Sequence, residues 1–162
     1  MSIDSGTEVV VSRSVTVPLT PQRTFELFTA RTTEFWPKEH SINSAEIATV
    51  VIEPRAGGRF FERGVDGSEC DWGRVAAWEP PRKLVLHWQV GADWQFDPNL
   101  ETEVEVTFTE ESPGRTRLDL RHRHLERYGE AAEQMRAIYD SPGGWQGTLA
   151  ACAKLASEEA EE

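Results

Sequence analysis

Residues 101 to 123, ETEVEVTFTEESPGRTRLDLRHR, fold back on themselves in one register that suits both faces of a sheet. If Ser112, Pro113 and Gly114 form a three-residue loop with Gly114 in the left-handed region, the numbers of paired positions sum to 226. Phe108 then faces Leu118, Val106 faces Leu120 and Val104 faces His122, while Glu105 meets Arg121 and Glu103 meets Arg123. One face of the hairpin is apolar and the other is a ladder of opposite charges, as a half-buried antiparallel sheet requires. The arginines are thereby read as cross-strand partners rather than as an anion site, each exposed pair contributing about 0.2 to 1 kcal/mol. The apolar face has to be covered by something else in the chain.

The remaining pattern shows what is available. Residues 9 to 17 read as a first strand, rich in β-branched residues and closed by Pro18. Thr20 as a cap, Pro21 at the first helical position and Phe25 and Phe28 one turn apart predict a helix. A second short helical piece carries Phe35 and Trp36 and stops at Pro37. Strands are expected at 49 to 53, 59 to 64, 71 to 78 and 84 to 90, with Asp66-Gly67 as a tight turn and 91 to 100 as a long loop. A helix is expected from Glu130 to Tyr139, broken by Ser141-Pro-Gly-Gly. The last helix starts near Trp145 and aligns Trp145, Leu149, Cys152 and Leu155 in one apolar stripe on a surface otherwise small and polar. Gly143 and Gly144 are read as a tight turn where no side chain would fit beside the sheet.

This order predicts an α+β fold, a curved antiparallel sheet of about six to seven strands wrapped around a long C-terminal helix, with two short helices after the first strand. With 162 residues the chain fits a single domain over 1–162, its core at 9–156 and a frayed acidic tail at 157–162. A wide sheet around one slim helix is expected to leave an internal cavity of small-molecule size. The formal charge of −11 disfavours nucleic acid and anionic membrane surfaces. No signal-peptide pattern opens the sequence, so a cytoplasmic location is expected, with Cys70 and Cys152 as reduced thiols.

The stretches VTVPLTPQRTFELFT, EPRAGGRF, GRVAAWEPPRKLVLHW, ETEVEVTF, RTRLDLRH and GGWQGTLAACAKLA occur here in that order. In this the chain resembles the SRPBCC or START-like helix-grip superfamily, and within it the group related to the C-terminal domain of activators of the Hsp90 ATPase. The resemblance runs from about Val9 to Ala156. It implies a START-like domain with a ligand cavity gripped around the last helix, in a superfamily whose members bind lipids, sterols, plant hormones and polyketides and in some cases catalyse cyclisation or hydrolysis. Phe60 matches the aromatic of the family's Gly-Gly-x-aromatic stretch, and His122 a histidine often carried at its strand position.

The inward faces nominate ligand-binding residues: Phe28, Trp36, Phe60, Leu86, Trp88, Val104, Val106, Phe108, Leu120, His122, Trp145 and Leu149. Plain core packing is the alternative for all of them, and above all for the aliphatic ones. Trp36, Trp94 and Phe96, in loops, rim the entrance or mark a homodimer surface. Strand alternation would point both His122 and His124 inward with Glu126 beyond them, but the other histidines, His40 and His87, do not complete a metal shell, so no metal and no cofactor is expected. Nucleophile elbows and phosphate-binding glycine loops are missing. The function expected is binding of a small hydrophobic or aromatic molecule. The alternatives are a cyclase- or hydrolase-like enzyme using His122 as acid/base with Asp71 or Asp93 at the mouth, and a co-chaperone-like interaction module.

Overall fold

The computed structural model describes residues 8–37, 40, 42, 43 and 45–161. Its centre is one seven-stranded antiparallel sheet made of β1 (Val11–Val17), β2 (Ile47–Ile52), β3 (Arg59–Gly64), β4 (Glu69–Glu79), β5 (Lys83–Trp88), β6 (Thr102–Ser112) and β7 (Arg115–Arg123). The spatial order is β1-β7-β6-β5-β4-β3-β2, so the first strand returns to pair with the last and every other strand meets its sequence neighbour. Between β1 and β2 lie α1 (Pro21–Ala30) and α2 (Thr32–Phe35); after β7 come a 3₁₀ turn (Leu125–Ala131), α3 (Ala132–Tyr139) and α4 (Trp145–Ala160). This is the helix-grip arrangement, with the sheet curled as a half-barrel.

The β6–β7 register is the one read from the sequence: Val104 pairs with His122, Val106 with Leu120 and Phe108 with Leu118. The charge ladder is present too, with Arg123 3.5 Å from Glu103 and Arg121 4.0 Å from Glu105. The turn itself is tighter than expected. Ser112 pairs with Arg115 and Glu110 with Thr116, so only Pro113 and Gly114 stand in the loop and the extra residue is a bulge before Ser112. Loop and bulge together keep the residue count, which is why the register below them is unchanged. Gly114 has φ +77°, the left-handed conformation the turn needs.

Local chemistry accounts for the helix starts and the exposed edge. The Thr20 hydroxyl accepts the Arg23 N–H at 3.2 Å, and Pro21 follows where its missing N–H costs nothing. Edge strand β2 is shielded by α2: Thr33 Oγ1 accepts from Val50 N at 2.9 Å and donates to the Val50 carbonyl at 3.3 Å, as a neighbouring strand would. In the middle of β4, Gly73 passes so close to β5 that a Cβ there would lie 1.7 Å from the His87 carbonyl oxygen.

Helix α4 closes over the sheet and packs along β1. Its buried stripe is Trp145, Leu149, Cys152 and Ala156; Leu155 is only partly buried, because the seam advances four, three and four residues and a methyl group at 156 lets the backbones approach. The middle of the grip is filled. Phe25 and Phe28 of α1 reach in, with ring centroids 5.1 and 6.1 Å from that of Phe108. Nor is the acidic end frayed from residue 157. Helix α4 continues to Ala160, and Glu159 pairs with both Arg23 and Arg31, the latter a charge held well above the ordinary arginine range by Glu34 and Glu159. Among the described residues no helix is long and apolar enough to cross a membrane.

Candidate functional site

A cavity of about 430 Å³ opens at the Trp145 end of the grip. Its wall is built from four places in the chain: Trp36, His40 and Ile42 after α2; Trp72 of β4; Trp88, Val90 and Trp94 at and beyond the end of β5; and the segment from Ile138 and Tyr139 through Gly143, Gly144 and Trp145 to Thr148. The indoles interlock. Ring centroids of Trp36 lie 5.0 Å from Trp72 and 5.7 Å from Trp145, and those of Trp88 and Trp145 are 5.5 Å apart at 68°. Edge-to-face and tilted contacts at these separations suit the ring quadrupoles.

Two hydrogen-bond relays hold this wall from behind. Trp145 Nε1 donates to His122 Nδ1 at 3.0 Å, and an indole N–H can only donate, so Nδ1 carries the lone pair and Nε2 the hydrogen. Nε2 lies 2.8 Å from Thr102 Oγ1, whose own hydrogen goes to the Trp88 carbonyl at 2.8 Å. In the second relay Trp88 Nε1 donates to Tyr139 Oη at 3.0 Å, and Tyr128 Oη gives its hydrogen to the Val90 carbonyl at 2.6 Å. The 2.8 Å contact between the two phenols is therefore donated by Tyr139. Burial holds both tyrosines above the usual phenol range, Tyr128 at about 12, and pushes the His122 imidazole down to about 3. His122 is neutral at ordinary pH, fully buried, and has both nitrogens engaged. It does not line the cavity. The geometry makes it a strut between Trp145 and Thr102 of β6, with neither nitrogen open to act as the acid/base suggested by the sequence.

A third support is the carboxylate of Glu62, fully buried on β3, which accepts from Trp72 Nε1 at 2.7 Å and from the Ile42 backbone N–H at 2.8 Å. It ties a wall residue to the segment that covers the cavity. The sequence carried a signal for it: Glu62 shares the inward face of β3 with Phe60, two residues away. Tyr128, Tyr139 and His40 carried no comparable signal, since irregular turns and helix ends bring them in.

Of the residues nominated from sequence, Trp36, Trp88 and Trp145 line the cavity. Phe60, Leu86 and Val104 are buried core that does not reach the wall, with Phe60 packed 5.2 Å from Trp72. Phe28, Val106, Phe108, Leu120 and Leu149 likewise belong to the filled core. Trp36 is 7% exposed, so it forms an inner wall and not a rim; Trp94, 42% exposed, stands at the mouth, its ring 6.2 Å from Tyr139. Phe96 is also exposed but does not line the cavity.

Neither proposed mouth carboxylate is there. Asp71 points to the outer face of β4 and pairs with Arg59 at 2.7 Å, and Asp93 is exposed and caps the Gln95 N–H at 3.2 Å. His124 does not follow His122 inward. Strand β7 ends at Arg123, and a left-handed φ of 65° at His124 turns its ring toward Glu8 and Glu126, 3.7 and 3.5 Å away. Among the described residues no three His, Cys, Asp or Glu side chains gather as a metal set. At the other side of the wall, Gly144 is required by the backbone of α3 and not by the sheet: a Cβ there would lie 2.4 Å from the Tyr139 carbonyl oxygen.

Comparison with known proteins adds relatives of the same shape. A solved anthrahydroquino-gamma-pyrone synthase in complex with SUM is 37% identical, with 90% of this chain and 96% of that one covered and a TM-score of 0.63. The self-sacrificing resistance protein CalC from Micromonospora echinospora is 27% identical over 93% of this chain and 95% of its own, with a TM-score of 0.70. The Aha1 dimer from Colwellia psychrerythraea shares the fold at 10% identity, covering 92% and 96% of the two chains with a TM-score of 0.61. No curated protein sequence matches. The family model described as activator of Hsp90 ATPase homolog 1-like protein matches residues 18–156, and the chain belongs to that family.

Proposed function

We propose that this protein binds a small, uncharged aromatic molecule in the cavity at the Trp145 end of the grip. The observation that carries the reading is the wall itself: an opening of about 430 Å³ lined by Trp36, Trp72, Trp88, Trp145 and Tyr139, with no Asp, Glu, Lys or Arg among the described lining residues. Ring faces of this kind favour planar ligands, and a wall without formal charge offers an ion nothing in exchange for its hydration. The relays behind Trp88 and Trp145 hold the rings in place before a ligand arrives, so little ordering entropy is lost on binding. The 37% identical relative supports the same reading, since it is a synthase solved with SUM bound and its name is that of a fused-ring product.

The test is calorimetric titration with naphthalene- and anthraquinone-type probes, followed in parallel by quenching of tryptophan fluorescence. Saturable binding that Trp145→Leu weakens while the variant still folds is the expected result. Lack of saturable binding by every planar probe would remove the proposal. A second reading, turnover in the same cavity, is favoured by the synthase relative; it is tested by incubating a confirmed ligand with the protein and following its conversion by mass spectrometry.

A further inference from the structure

The hydrogens of the inner wall are almost all spent inside the protein. An indole N–H or a phenol O–H has one hydrogen to give, and Trp72 gives it to Glu62, Trp88 to Tyr139, Trp145 to His122 and Tyr139 to Tyr128. The Thr148 hydroxyl donates to the Gly144 carbonyl. Trp36 Nε1 has no acceptor among the described residues, but the atom is itself occluded by its surroundings. Oxygen behaves differently, because Tyr139 Oη, having accepted one hydrogen and given its own, keeps a lone pair. Apart from the indole N–H of Trp94 at the mouth, these groups therefore present acceptors, and a ligand that is to make a polar contact with them has to bring the donor.

One lining side chain stands apart. His40, in the segment after α2, is half-buried on the wall, and its ring makes no hydrogen bond among the described residues. It sits edge-on to Trp36, with centroids 6.5 Å apart at 86°. Among the described residues His40 is the one imidazole lining the cavity; His122 is locked behind the wall, and His87 and His124 do not line it. Among the described residues it is thus the lining side chain whose ring nitrogens carry no hydrogen bond, one offering a lone pair and the other, in the neutral imidazole, an N–H, at the edge of a stacking surface.

We infer that His40 is the polar anchor of this cavity and that the ligand class is a hydroxylated aromatic, a phenol or an enol, whose O–H donates to the His40 imidazole while its ring stacks against the neighbouring indoles. The inference rests on the reading of the cavity as a small-molecule site and adds the group that orients the ligand. It also predicts discrimination: a ring that keeps its oxygen but loses the hydrogen binds less well, because an aryl ether oxygen is a poor acceptor for the imidazole N–H and can give nothing to the imidazole lone pair.

The experiment compares 2-naphthol with 2-methoxynaphthalene by calorimetry on the intact protein and on His40→Phe and His40→Gln. Wild type is expected to prefer the naphthol by roughly three- to tenfold, the range of one net hydrogen bond. His40→Phe, which keeps a ring of similar bulk, should bring the ratio to about one with the methoxy probe little affected, and His40→Gln, which restores an acceptor, should recover part of the preference. Equal affinities in wild type, or a preference that survives in His40→Phe, would overturn the anchor while leaving the cavity reading intact. If neither probe binds wild type, the cavity reading falls and the anchor falls with it.

Discussion

Protonation of His122 is the sharpest test of the relay behind the wall. Its imidazole is fully buried, accepts from Trp145 through Nδ1 and donates to Thr102 through Nε2, and burial lowers its pKa from 6.5 to about 3. A second proton would have to go onto Nδ1, opposite the Trp145 N–H, placing donor against donor. In the unfolded chain the same side chain titrates normally. Because the folded pKa is the lower one, the unfolded state takes up a proton that the folded state refuses. Stability is thus fully present above about pH 6.5 and is lost as pH falls toward 3. A tenfold change in proton affinity corresponds to about 1.4 kcal/mol, so the whole window is worth about 4 to 5 kcal/mol, of which about 2 kcal/mol is already lost at pH 5. Carboxylates titrate in the same range, so the assay is a difference. Urea denaturation at pH 8 and pH 5 is compared for wild type and His122→Gln, whose amide can accept from Trp145 and donate to Thr102 but does not titrate. The wild type should lose about 2 kcal/mol more than the variant between the two pH values. Equal losses would refute the reasoning, since they would mean that the native state accommodates imidazolium.

Other parts of the structure are open to direct checks. Gly73→Ala should cost more than about 3 kcal/mol in denaturant melts or abolish folding, because its methyl group would meet a β5 carbonyl that belongs to the sheet and cannot step aside. Glu62→Leu leaves the Trp72 and Ile42 N–H groups without that acceptor and should cost roughly 2 to 5 kcal/mol, with faster hydrogen exchange at Ile42 as the local readout. Glu159→Ala removes the partner that Arg23 and Arg31 share on α4; at this partly exposed site the loss should be about 1 kcal/mol or less and should shrink further in high salt.

The sheet was legible in the sequence because its rules are local. Period-two alternation, opposed charges at Glu103 and Arg123, and a Pro-Gly turn specify pairing between residues close along the chain. The helix starts at Pro21 and Trp145 were legible for the same reason, and the ordered stretches pointed to the family. The alternation also placed His122 opposite Val104, on the inward face. What it could not convey was how deep a residue on that face would lie or what would meet it. His122 became a strut because Trp145, 23 residues later, and Thr102, 20 residues earlier, converge on its two nitrogens.

The cavity belongs wholly to that second kind of information. Sequence determined a curled antiparallel sheet with one apolar face and a last helix slim enough to lie against it. Tertiary packing decided that Phe25, Phe28 and Phe108 fill the middle and that the space remains at the Trp145 end, where four separate segments meet. Alternation distinguishes in from out, but it is blind to position along the helix axis, and a cavity is defined by what fails to reach a given point from all sides. For that reason Trp36, read as an exposed rim, is an inner wall, and His40, an isolated histidine between α2 and β2, lines the space that the aromatic rings enclose.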